Sequence, residues 1–402
     1  MCDHSTSTKG LPYKLSEDSG VKTVIPNHLV LARNNCIKAL NGSSSKVDSI
    51  SCIDIWLTYA NGLLSYRYET GNADPLVEEE ISMVLINVAT FYEDIGIETL
   101  HRAYESSQPS NNLWVTSGTY LKRGLGLVGF LRAISQTNTV TDPKNMRVLN
   151  ISNQLSLEFQ LLQQLGIVIL ALSKLRSKVS KDAIVDLEPH ELKELGTFSV
   201  FYAKLCIGSY NTALQCRDGR IVDVIFLKYL QSLIYLFLSI NQYNMDECGI
   251  AIGMLQESIK KLLNIVPNSQ LKELDILSST DITKKRDILK KAFKRKVHNT
   301  TSKTSHIFEK KASSSYKNGI MPLLNLSLDD FIIPLTILLR YRYQRTNDNF
   351  SFKPVENDVD KLNKLLPRGK TSDLEGTTWR FQNGRLTFEN SNDASIDNEN
   401  YF

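Results

Sequence analysis

The spacing most suggestive of chemistry is Gly124-Leu125-Gly126-Leu127-Val128-Gly129, a literal GxGxxG. Such glycines cradle a dinucleotide when a strand precedes them, a helix follows and an acid lies about 20 residues on. Here Tyr120-Leu121-Lys122 and Phe130-Leu131-Arg132 carry a helical apolar pattern straight through the glycines. Small residues on a helix then point to close helix packing instead. The histidines, His4, His28, His101, His190, His298 and His306, are dispersed, with no HExxH pair. Cys2, Cys36, Cys52, Cys206, Cys216 and Cys248 form no CxxC pair, which argues against a zinc module or a disulfide framework. Cys2-Asp3-His4 supplies too few donors for a structural metal. Neither a GxSxG elbow nor a GxxxxGK[ST] phosphate loop occurs. A Cys–His nucleophile pair stays open, because such partners lie far apart in sequence. Cys206 has apolar neighbours and reads as a buried, inert thiol. No cofactor, metal or catalytic residue is expected.

A second candidate is KKRDILKKAFKRK. Lys284, Lys285, Arg286, Lys290, Lys291, Lys294, Arg295 and Lys296 surround the apolar stripe Ile288, Leu289, Ala292 and Phe293. This pattern suits anionic lipid headgroups or an acidic partner helix. It also suits nucleic acid or nuclear import, or simply a solvated face. The charge is local: Lys284–Lys311 holds eleven Lys/Arg against two acids, while the whole 402-residue chain carries only +4.

The elements that would position these residues are helices. Val77, Ile81, Val84, Leu85 and Val88 recur at helical spacing behind an acidic first turn. Helices are also expected over Asn27–Leu40, Ser49–Tyr68, Leu113–Ser135, Asn145–Ser173, Glu188–Gln215, Val222–Asn241, Cys248–Leu263, Thr283–Val297 and Ser327–Tyr343. Val224–Ile240 contains Lys228 and Gln231, falls short of the roughly 20 apolar residues of a span and reads as a core helix. Long helices with short connections predict an extended stack. Strand signal is sparse. Leu11–Lys14 and Val21–Ile25 could pair as a hairpin, and Asn349–Val355 alternates. Short terminal strands could therefore meet in a small sheet. Tyr243–Leu263 reads like half a tetratricopeptide unit, but no 34-residue period runs through the chain. Residues 299–315 read as a mobile Ser/Thr/Lys-rich loop, and SNDASIDNENYF as a polar tail. The N-terminus lacks the apolar core of a signal peptide, and a reducing, cytoplasmic setting is expected.

Several of these segments together resemble the BRO (Alix-type) domain family, most closely its fungal alkaline-pH-signalling branch. They are Gly10–Leu15, Leu121–Leu127, Phe201–Ile207, Tyr235 with Gly249–Leu255, and Asn347–Val355. The resemblance spans about residues 10–370. It implies a mostly all-α, banana-shaped helical solenoid with a tetratricopeptide-like core and a small β-sheet. Residues 1–9 would be disordered, 10–370 one domain, and 371–402 a polar acidic tail.

The same resemblance implies a non-enzymatic adaptor. Its concave face would take the C-terminal amphipathic helix of the main ESCRT-III filament subunit, through a few aliphatic anchors. Gly166–Leu170 and Asp182–Leu187 occupy the comparable region, without the family's aromatic residue. Ile167, Ile184 and Leu187 are the implied contacts. Components of a pH-sensing complex would be further partners. Recruitment to endosomes or plasma-membrane foci, with peripheral contact to anionic lipid, would follow. The rival expectation is a helical scaffold of a nuclear or nucleic-acid complex that uses the basic segment.

Overall fold

A computed structural model describes residues 8, 11–16, 20–41, 49–71, 74–106, 110–136, 143–178, 189–216, 219–265, 320–371 and 374–389. The helices begin where the chain offers caps. Asp74 accepts from the Leu76 amide at 2.8 Å and Pro75 opens α3 (Pro75–Glu105). Asp223 does the same for the Phe226 amide at 2.7 Å and opens α8 (Val224–Asn244). The remaining helices are α1 (Asn27–Asn41), α2 (Ser49–Thr70), α4 (Leu113–Gln136), α5 (Pro143–Lys178), α6 (Pro189–Thr197), α7 (Ser199–Gln215) and α9 (Cys248–Leu263). After these come α10 (Ile320–Ser327), α11 (Ile333–Thr346) and the short α12 (Val359–Lys364). Consecutive helices pack side by side from α1 to α5, then α5 on α7, α7 on α8 and α8 on α9. α11 closes on α9, and α10 returns to α3. This is the expected mostly α architecture with a small sheet.

α3 is apolar almost all round because it is covered by α2, α4, α5 and α10. By length and hydropathy alone, α5, α8 and the α10–α11 run could each cross a bilayer. Most of each apolar stretch is instead buried against neighbouring helices. For Val224–Asn244 this corrects the judgement on length and keeps the core assignment.

Other expectations need correction. The helix read over Glu188–Gln215 breaks at Phe198 into α6 and α7. The helix read from Ser327 starts at Ile320 and carries a π turn at Leu328–Ile332. Leu11–Lys14 and Val21–Ile25 form no hairpin. Tyr13 instead pairs its amide (2.6 Å) and carbonyl (2.9 Å) with the Asn87 side chain of α3, and residues Gly20–Thr23 wind as a 3-10 turn. Phe350 and Phe352 lie in no strand: α11 ends in a π turn, Asn347–Ser351, and Phe352 is left-handed. Thr8, expected in a disordered end, is fully buried. The sheet is an antiparallel hairpin of β1 (Trp379–Gln382) and β2 (Arg385–Phe388), inside the stretch read as a polar tail. Its turn is Asn383-Gly384, both at positive φ (52° and 73°), the combination that two-residue hairpins favour. Thr283–Val297 and the 299–315 loop lie outside the described residues.

An extended strap from Lys353 onward, ending in this hairpin, crosses the helical body backwards from α9 to α7, α4 and α2. It docks on three helices by one geometry. The Glu356 amide donates to the Gly249 carbonyl of α9 (3.3 Å), Lys370 to Lys204 of α7 (2.9 Å) and Thr377 to Lys122 of α4 (3.0 Å). Four residues after each acceptor stands a glycine: Gly253, Gly208 and Gly126. A helical side chain leans toward the N-terminus and covers the carbonyl one turn back. Glycine leaves that carbonyl open, and its second lone pair takes the strap. A Cβ on Gly253, Gly208 or Gly126 would sit 2.0, 2.0 or 1.8 Å from the strap carbonyl of Glu356, Lys370 or Thr377. Gly249 likewise lies beneath the Pro354 carbonyl. Side chains complete the seam: Tyr235 donates to Asn363 (2.6 Å), Trp379 to the Arg123 carbonyl (2.9 Å), and Asn61 accepts from the Leu386 amide (2.7 Å).

GxGxxG thus divides by environment. Gly124 packs on Phe159 and Tyr92, Gly126 receives the strap, and Gly129 has no atom within 4 Å of an added Cβ. Gly126→Ala or Gly208→Ala should lower stability in urea melts by about 1–3 kcal/mol, the usual cost of overpacking. Gly129→Ala should be neutral or stabilising by up to about 1 kcal/mol, since alanine is the better helix former. Equal effects at Gly126 and Gly129 would refute the window geometry.

Candidate functional site

Along α5 the buried residues alternate with a narrow outward stripe. Gly166, Ile167 and Leu170 are half-buried, whereas Leu165, Val168, Ile169 and Leu172 are fully enclosed. Residues three apart on a helix are surface neighbours, so Ile167 and Leu170 form one aliphatic patch. Ile167 also packs on the core from its inner side. Of the residues expected to bind a partner, the structure therefore places Ile167 on an accessible face and adds Leu170. Ile184 and Leu187 lie outside the described residues. So does the basic segment Lys284–Lys296.

Behind α5 lies a buried ion cluster that sequence reading missed. Arg220, in the α7–α8 connection, donates to Glu93 Oε2 (3.0 Å) and Asp94 Oδ1 (2.6 Å) of α3. Its backbone amide donates to Glu158 Oε1 of α5 (3.2 Å) and to the Thr8 hydroxyl (3.1 Å), while that hydroxyl donates to Glu158. Glu93, Glu158 and Arg220 are almost wholly buried. Burial raises both glutamates above the ordinary carboxylate range, Glu93 well above it, and pushes the nearby Cys216 thiol up to about 12. Glu93 Oε1 and Glu158 Oε2 are buried without a hydrogen-bond partner, and the neighbouring Glu158 charge raises Glu93 further. One proton held between them would give both oxygens a partner and leave Arg220 facing two carboxylate charges, of which Asp94 is partly open to solvent. The legible signal was an acid at core positions of two helices, within FYEDIG and SLEFQLL.

A second buried pair, Arg33 Nε to Glu80 Oε1 at 2.7 Å, is joined by the Tyr59 hydroxyl at 3.1 Å. Arg33 also donates to the Ser16 carbonyl at 2.8 Å. Thr8, Tyr13 and Ser16 are thus each fastened to the helical body. A surface cleft of about 290 Å³ is lined by Asn112, Val115, Thr116, Thr119, Tyr120 and Arg123. Neither His101 nor Cys206 contributes to it. Cys206 is fully buried, and burial raises its thiol pKa far above the ordinary value. Burial lowers the His101 pKa. No group of three or more His, Cys, Asp or Glu with metal-site geometry occurs among the described residues.

The shared proton sets a sign for pH dependence. A carboxyl whose folded pKa is raised contributes stability that is complete below the unfolded value, about 4.3, and is lost as pH rises through the folded value. Stability from this cluster should therefore fall toward alkaline pH. Glu93→Gln supplies a permanent donor and should flatten that slope in melts across pH. Arg220→Ala should cost about 3–5 kcal/mol by stranding the carboxylates. An unchanged slope in Glu93→Gln would overturn the shared proton.

A solved structure described as "Structure basis for endosomal targeting by the Bro1 domain" aligns at 15% identity and a TM-score of 0.37, over 85% of this chain and 94% of that one. The chain is 71% identical, over the full 402 residues of both, to "Uncharacterized protein YGR122W" of Saccharomyces cerevisiae. Residues 76–402 match a family described as "Family of unknown function (DUF5355)". Since that match takes in α3 through the terminal hairpin, the chain belongs to the DUF5355 family.

Proposed function

We propose that this protein is a non-enzymatic helical adaptor whose α5 face accepts the C-terminal amphipathic helix of the main ESCRT-III filament subunit. The observation that carries the reading is the pair Ile167 and Leu170, two part-exposed aliphatics three residues apart on the outward side of α5. Helix-in-groove recognition draws its affinity from a few such anchors. The ordered resemblance of Gly10–Leu15, Leu121–Leu127, Phe201–Ile207, Gly249–Leu255 and Asn347–Val355 to BRO-type adaptors supports the same partner. It favours the role of the fungal alkaline-pH-response protein palC. That role is to support a pH-sensing complex in which a calpain-like protease cleaves a zinc-finger transcription factor. The adaptor docks and does no chemistry. It works in the cytoplasm and is recruited peripherally to endosomes or plasma-membrane foci. The Lys284–Lys296 segment adds attraction to an anionic leaflet, on the order of 1 kcal/mol per base.

Titration of the purified protein with the isolated filament-subunit helix tests this. Ile167→Asp should weaken binding about thirtyfold, a hot-spot loss of about 2 kcal/mol, with an unchanged circular dichroism spectrum. Leu170→Asp should act in the same direction. A wild-type protein that ignores the helix and binds DNA or RNA instead would overturn the adaptor reading.

A further inference from the structure

At the three windows the strap is held by backbone alone. Its three window bonds run from its own amides to helix carbonyls, and each glycine is matched by a strap carbonyl. A strap of identical sequence from a second copy fits the same windows with the same bonds. Whether the strap stays with its own body therefore depends on the hinge that turns it back.

That hinge is Phe352. It takes φ 51° and ψ 27°, the left-handed region that a bulky side chain avoids. On one side stands the π turn Asn347–Ser351. On the other, Lys353 is held by the Asn347 side chain through its amide (3.0 Å) and carbonyl (2.9 Å). The Lys353 ammonium reaches the Asp246 carbonyl (2.7 Å) and Glu247 (3.1 Å) at the α8–α9 corner. All these contacts join the body to residue 353 or later, so all re-form when a second copy supplies the strap. Only the Phe352 backbone has to change. Around it the closed chain leaves Phe350 79% and Phe352 74% exposed, two aromatics in water at one corner.

We infer that two copies of this chain exchange straps, with Phe352 as the hinge. Opening Phe352 to an extended conformation relieves the left-handed strain. It also brings the Phe350 and Phe352 rings of both copies to the new crossing, where they can bury one another. The inference is independent of the partner on α5.

The test is a mixture of isotope-labelled and unlabelled full-length protein, concentrated together and treated with a lysine-reactive crosslinker. Lys204 and Lys370 are adjacent through their backbone bond (2.9 Å). Exchange gives a concentration-dependent dimer in analytical ultracentrifugation, whose Lys204–Lys370 crosslinks join labelled to unlabelled chains. Phe352→Gly, which accepts the left-handed conformation freely, should raise the dimer dissociation constant about twentyfold, a factor of about five at each of two hinges. The inference fails if no dimer forms at the highest soluble concentration. It also fails if the crosslinks stay within single-isotope chains, or if Phe352→Gly leaves the dimer unchanged.

Discussion

The structure depends on an absence of side chains. At Gly126, Gly208 and Gly253 a helix gives up the atom that would shield its own carbonyl, and the strap takes the vacancy. Each such glycine costs a helix about 1 kcal/mol relative to alanine. The offset is added cover over α9, α7 and α4, anchored by the buried Leu362, Trp379 and Leu386. Without the windows residues 353–371 and 374–389 would have no place to lie, and the faces beneath them would be open to water.

The α5 face inherits its position from this arrangement and from the ion cluster beneath it. Arg220 joins α3, α5 and the α7–α8 connection at one point, and Thr8 seals it. Burying charge does little for net stability, but it fixes register, because few other placements leave every partner satisfied. Ile167 and Leu170 project from the opposite side of the helix that carries Glu158.

Much of the helical body was legible because amphipathic period and caps agree over long stretches. α1 to α5, α8 and α9 begin and end within a few residues of where the spacing puts them. The sheet was misplaced for a different reason. Phe350-Ser351-Phe352 alternates as a strand does, yet α11 overruns and ends in a π turn there. Gln382-Asn383-Gly384-Arg385 carried the strong hairpin signal, but it sat in a stretch whose polar composition resembled a tail. The glycine windows were visible only as a motif of another chemistry. One helix cannot reveal that a carbonyl is being kept free for a segment 255 residues away. Of the candidate site, Ile167 could be named, while the half-exposed state of Leu170 follows from how its neighbours pack. The cluster around Arg220 leaves no spacing in the sequence, because its members come from four separate segments.

The strap also bears on how the chain reaches this state. Leu386 meets Asn61 across 325 positions, and Trp379 meets Arg123 across 256. Contacts of such sequence separation form late, after loop closure has been offset by nearer ones. During synthesis the helices through α9 leave the ribosome well before residue 353 does. For that interval the helices already made stand uncovered, with α10 and α11 still to come and three carbonyls not yet met by the strap. The nascent protein is then a different object for chaperones than the finished one. Its final act of folding is the laying down of the strap.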